Sequence, residues 1–131
     1  MSNQLNFEIE DRDSHTYMKV EGAYEFDAFI ELIKAVNKVG SKSESKKVIC
    51  DIRQVEILLS SDTDRFRIGT AMADTIAYNI HIAGLVAPES INHFVELVAN
   101  NRGVHFKVFS CANAAREWLL EEDVLAKNRF D

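Results

Sequence analysis

The chain has 131 residues, 47% of them hydrophobic and 27% charged, and carries a net charge of −6. That length suits a single domain over residues 1–131 which buries about two-thirds of its unfolded surface, and the composition excludes a disordered chain. The acidic balance argues against nucleic acid as a partner, because phosphate binding takes clustered Lys and Arg. The longest apolar runs, such as Ile82-Ala83-Gly84-Leu85-Val86-Ala87, are too short for an integral membrane segment.

The start, Met1-Ser2-Asn3-Gln4, shows no secretory signal. Leu5 to Glu10 alternates apolar and polar residues, the period of a half-buried strand. Asp11-Arg12-Asp13-Ser14 is a polar turn, and Thr16 to Glu21 alternates again until Gly22, so the chain opens with an antiparallel hairpin. Phe26, Phe29, Ile30, Ile33 and Val36 then fall at helical spacing, with Gly40 as the expected stop. Ser41 to Lys47 is a Ser-rich loop whose lysines, Lys42, Lys46 and Lys47, suit a solvated turn rather than a binding patch.

A strand is expected over Val48 to Ile52, with its apolar run stopping at Asp51, followed by a hydrophobic turn through Val55, Ile57, Leu58 and Leu59. Ser60-Ser61 opens a helix expected to bury Phe66, Gly69, Met72, Ala73 and Ile76. Ile80 to Val86 reads as a strand covered on both faces. Pro88 suits the first turn of a third helix that places Ile91, Phe94, Val95 and Val98 inward and ends at Gly103. Val104 to Phe109 is the last strand. Ser110 caps a final helix with Ala114, Ala115, Trp118 and Leu119 as its stripe, and Ala126 to Asp131 forms a loose tail. The order ββαβαβαβα predicts an α/β fold: a mixed five-stranded sheet with four helices, parallel where right-handed crossovers connect the strands and antiparallel at the first hairpin.

Few residue sets carry chemistry. His15, His81, His93 and His105 sit on separate elements without paired spacing, so no metal site is expected. Five scattered glycines make neither a dinucleotide fingerprint nor a P-loop, and no cofactor is expected. Ser60 and Ser61 lack the glycines of a nucleophile elbow. Cys50 and Cys111 lack CxxC spacing and read as free thiols of a reducing, cytoplasmic compartment. In Ser60-Ser61-Asp62-Thr63-Asp64 the plain reading is a cap, with both carboxylates favouring the positive helix end. The functional reading is a phosphorylation switch in an exposed loop. Arg102-Gly103 suits a helix C-terminus, which makes Arg102 structural with some claim to a surface contact.

The element order and the stretch Asp51-Ile52-Arg53-Gln54-Val55-Glu56-Ile57-Leu58 followed by Ser60-Ser61 resemble the STAS domains of anti-sigma-factor antagonists. Leu59 stands where that family has an acidic residue, and Asp62 where it has glycine. The second half, with Asp64 to Gly69, Ile82 to Val86 and Asn101-Arg102-Gly103, looks like SpoIIAA-like proteins, which also resemble lipid-binding CRAL-TRIO domains. The resemblance implies a non-enzymatic regulatory or protein-interaction module with Ser60, or Ser61, as regulatory phosphoacceptor. Asp51, Asp62, Asp64, Arg65 and Arg102 are its candidate partner- or ligand-binding residues. The alternative is a carrier that holds an apolar or lipid-like small molecule among Phe26, Phe29, Phe66 and Phe94. A protein partner is expected, and the exposed edge of the first hairpin leaves a homodimer open.

Overall fold

In the computed structural model the chain runs β1 (Asn6–Asp11), β2 (Thr16–Tyr24), α1 (Phe26–Lys42), β3 (Lys47–Ile57), α2 (Asp62–Thr75), β4 (His81–Leu85), a 3-10 turn (Pro88–Ser90), α3 (Phe94–Asn101), β5 (His105–Phe109) and α4 (Ala112–Arg129). The structure describes residues 6–12, 14–59 and 61–129. Leu5, Asp13, Ser60 and the last two residues of the expected tail lie outside them.

The strands form one sheet in the order β1-β2-β3-β4-β5. β1 pairs antiparallel with β2, and β2 through β5 are mutually parallel, as the element order implied. On one face, Met18, Val20, Val48, Cys50 and Ile82 pack with Phe29, Leu32 and Val36 of α1, Ile68 and Met72 of α2, and Ala99 of α3. On the other, Ile49, Ala83 and Leu85 meet Ala115 and Leu119 of α4. Each of those side chains is nearly solvent-free, a burial that contributes about 1.5–3 kcal/mol for a large aliphatic group. β3 and β4 are thus covered on both sides, which accounts for their continuous apolar runs.

Several expected boundaries move. β3 does not stop at Ile52 but continues to Ile57, through residues expected to form a turn. The cause is a bulge: Lys19 pairs with Asp51 and Glu21 with Gln54, so Val20 faces both Ile52 and Arg53. Ile52, Val55 and Ile57 all reach the helical core although their spacing is not two. α1 runs past Gly40 to Lys42; a Cβ at Gly40 would stand 2.8 Å from the Ile80 side chain, so the glycine makes room rather than ending the helix. α3 begins at Phe94 rather than Pro88, leaving Ile91 exposed. α2 buries Ile68, Gly69 and Met72 while Phe66 faces out. α4 starts at Ala112, directly after Cys111 rather than Ser110, and stays helical to Arg129 where a tail was expected. The C-terminus of α3 follows expectation, with Gly103 at φ +98° just beyond Arg102.

Candidate functional site

The segments that follow β3 and β4 meet beside the first turns of α2. Ser61 has extended dihedrals and caps α2, its Oγ accepting the Asp64 backbone N–H at 3.2 Å. Asp62 and Asp64 occupy the first turn, where the N-terminal end of the helix dipole favours negative charge. Arg65 Nη1 lies 3.4 Å from Asp62 Oδ1, and Arg67 Nη1 lies 4.0 Å from Asp64 Oδ1. The Arg67 guanidinium also covers the Phe26 ring at 4.0 Å. These are loose pairs at the solvent edge and contribute little to stability.

Beneath this junction a cavity of about 400 Å³ separates the helices from the sheet. Its floor is Cys50 and Ile52 of β3, Ile82 and Gly84 of β4, and Phe106 and Val108 of β5. Phe29, Leu32, Ile33 and Val36 of α1 form one wall, and Ile68, Met72 and Ile76 form another, with Val95 of α3 beside them. The polar side chains along its lining are Arg65, Glu89, Ser90 and Asn92, joined by Ile57, Leu59, Val86 and Ile91 from the same segments. Burial pushes the Cys50 thiol up to about 12, so it stands in the floor as a neutral, inert group. The Tyr24 hydroxyl is buried in the same core with no hydrogen-bond partner among the described residues, and burial first and the nearby Cys50 second raise its pKa.

Solved structures share this fold, two of them as follows. An anti-sigma factor antagonist from Mycobacterium paratuberculosis is 16% identical with a TM-score of 0.59, the likeness covering 88% of this chain and 94% of that one. An uncharacterised protein from Shewanella loihica with a SpoIIAA-like fold is 17% identical with a TM-score of 0.50, covering 91% and 98%. The chain has the SpoIIAA-like fold. At such identities the likeness speaks for architecture alone. No family model and no curated protein matches the sequence.

Within this SpoIIAA-like fold the candidate residues divide into two groups. Ser61, Asp62, Asp64 and Arg65 stand together at the β3–α2 junction, and Ser60 lies outside the described residues. Arg102 joins α2 from the side, its guanidinium 5.5 Å from the Phe66 ring centre. Asp51 is apart from all of them. Its neighbours Cys50 and Ile52 line the cavity, so its own side chain points through the sheet to the opposite face. There the carboxylate, in a residue 4% exposed, accepts from Arg53 Nε at 2.9 Å, Arg53 Nη2 at 2.7 Å, the Arg53 backbone N–H at 3.1 Å and the Tyr17 hydroxyl. Burial alone would raise its pKa, but the donors from Arg53 and Tyr17 outweigh burial and hold it below the usual carboxylate range. That satisfied cluster ties β2 to β3.

The cavity was not legible in the sequence. Of the four candidate phenylalanines, Phe26, Phe29, Phe66 and Phe94, only Phe29 lines it, and Phe106 joins it from β5, a strand that supplied no candidate ligand contact. The continuation of β3 through Val55 and Ile57 was the available signal, hidden by the bulge. Cys111 is exposed before α4, where the backbone N–H groups of Ala114 and then Asn113 lower its pKa. Among the described residues no group of three or more His, Cys, Asp or Glu could hold a metal ion, and no helix is long and apolar enough to cross a membrane.

Proposed function

We propose that this chain is a non-enzymatic regulatory or protein-interaction module of STAS-like type that meets its partner at the β3–α2 junction. The observation that carries the reading is the surface there: Leu58 at 42% and Ile91 at 38% exposure are large apolar side chains beside the acidic first turn of α2. The likeness to an anti-sigma factor antagonist supports a protein partner by analogy of fold. Ser60 and Ser61 are the candidate phosphoacceptors; a phosphate on Ser61, the α2 cap, would join the positive end of the helix yet face Asp62 and Asp64, so phosphorylation there would deepen an acidic surface rather than create one. Intact mass spectrometry of the protein from its own cells reads that switch directly. For the surface, chemical cross-linking in those cells should trap a partner on the wild type and lose it with Leu58→Glu; equal trapping by both would reject this docking site.

A second reading, a carrier of an apolar or lipid-like molecule, is favoured by the cavity. Its volume, about 400 Å³, falls within the ~300–1,000 Å³ of small-molecule sites, and its walls are apolar with a few polar groups, as such sites are. Native mass spectrometry should then show a non-covalent adduct that denaturation removes.

A further inference from the structure

We infer that the cavity takes an amphipathic monocarboxylate, an apolar body on the sheet floor with its carboxylate held by Arg65; this rests on the carrier reading. The apolar half follows from the floor and walls, where Cys50, Ile52, Ile33, Met72, Ile82 and Phe106 offer a ligand no ionised group. Such surroundings accept hydrocarbon and reject a buried charge, so any charged end must sit at the polar part of the lining.

Among the described lining residues, Arg65 is the cation. Its side chain is 26% exposed, so it lies largely against protein, while its present partner Asp62 is 82% exposed and 3.4 Å away. Exchanging so weak a contact costs little, whereas a guanidinium presents a planar fork of donors that matches a carboxylate. Ser90 and Asn92 add neutral hydrogen-bonding groups to the lining. Glu89 also lines the cavity and opposes an anion, but it is exposed, where water and salt screen its charge. The balance therefore favours one negative charge on the ligand, seated against Arg65.

Calorimetric titration of the full chain with decanoate and, separately, with decan-1-ol tests this, both below the concentration at which they aggregate. The expected result is that decanoate binds roughly tenfold tighter than the alcohol, the size of one charge-assisted hydrogen-bonded contact. Arg65→Gln should erase that difference while leaving alcohol binding in place, and Glu89→Gln should tighten decanoate alone. Circular dichroism on each variant checks that it is folded. Equal binding of acid and alcohol by the wild type, or decanoate binding untouched by Arg65→Gln, would overturn the head-group assignment and leave the carrier reading standing. Binding of neither probe would overturn both.

Discussion

Asp51 draws its stability role from the donors around it rather than from its position in the strand. Because the folded-state pKa is depressed, the cluster's stabilisation is fully present above the ordinary carboxyl value of about 3.9 and is lost as pH falls through the lower folded value. Asp51→Asn keeps the shape but removes the charge that Arg53 and Tyr17 serve, and should cost about 1–3 kcal/mol at neutral pH. Urea denaturation at pH 7 and at pH 3 checks this, with the gap from wild type narrowing in acid. His15 acts in the same direction at higher pH. Burial first, then Arg12, Arg116 and Lys47, depress its pKa against the lesser pull of Glu10. Its Nδ1 lies 2.9 Å from Ser14 Oγ, and its Nε2 has no partner among the described residues. The unfolded imidazole therefore takes a proton first as pH falls below about 6.5, and stability declines from there towards the folded pKa. His15→Gln should flatten that part of the stability–pH curve, and a curve that keeps its slope would show that other groups set it.

Elements here are joined at points where one atom decides the fit. Gly69 lies at the crossing of α2 and α3, and a Cβ added there would stand 2.7 Å from the Cβ and Cγ1 of Val98. Ordinary helix propensity would make Gly69→Ala stabilising by up to about 1 kcal/mol. The contact reverses the sign, since the helices must part, and the expected outcome is a net loss of about 1–3 kcal/mol in thermal or urea unfolding. The bulge in β3 is another such point. One extra residue opposite Val20 lets Asp51 and Arg53 share the face away from α1, α2 and α3 while Ile52, Val55 and Ile57 share the other. It therefore shapes both the ion cluster and the rim of the cavity.

For the whole molecule the uneven packing of the sheet's two faces is the governing feature. α4 closes tightly over Ile49, Ala83 and Leu85, whereas α1 and α2 stand over a floor that they do not fill. Added volume should thus be tolerated beside the cavity and punished away from it. Ile33→Phe, which grows from the cavity wall, should leave the melting temperature unchanged or raise it while displacing any apolar ligand. Val48→Phe, in the fully packed part of the same core, should cost about 1–3 kcal/mol. Scanning calorimetry of the two variants makes the comparison, and similar losses from both would mean that the cavity closes in solution.

By itself the sequence determined the element order, the parallel sheet with its antiparallel edge, the Ser61 cap and the Gly103 terminus. Those features arise from local periodicity, dihedral preference and short-range hydrogen bonds, all of which neighbouring residues encode. Tertiary structure alone decided where Asp51 points, that Arg65 rather than Arg102 borders the cavity, and that Phe106 serves in place of Phe66. Each depends on a relation between distant residues: a bulge set by pairing with β2, a helix crossing set by Gly69 and Val98, and a void left where packed elements fail to meet. No local pattern carries such relations, so a cavity becomes visible only when its walls are assembled.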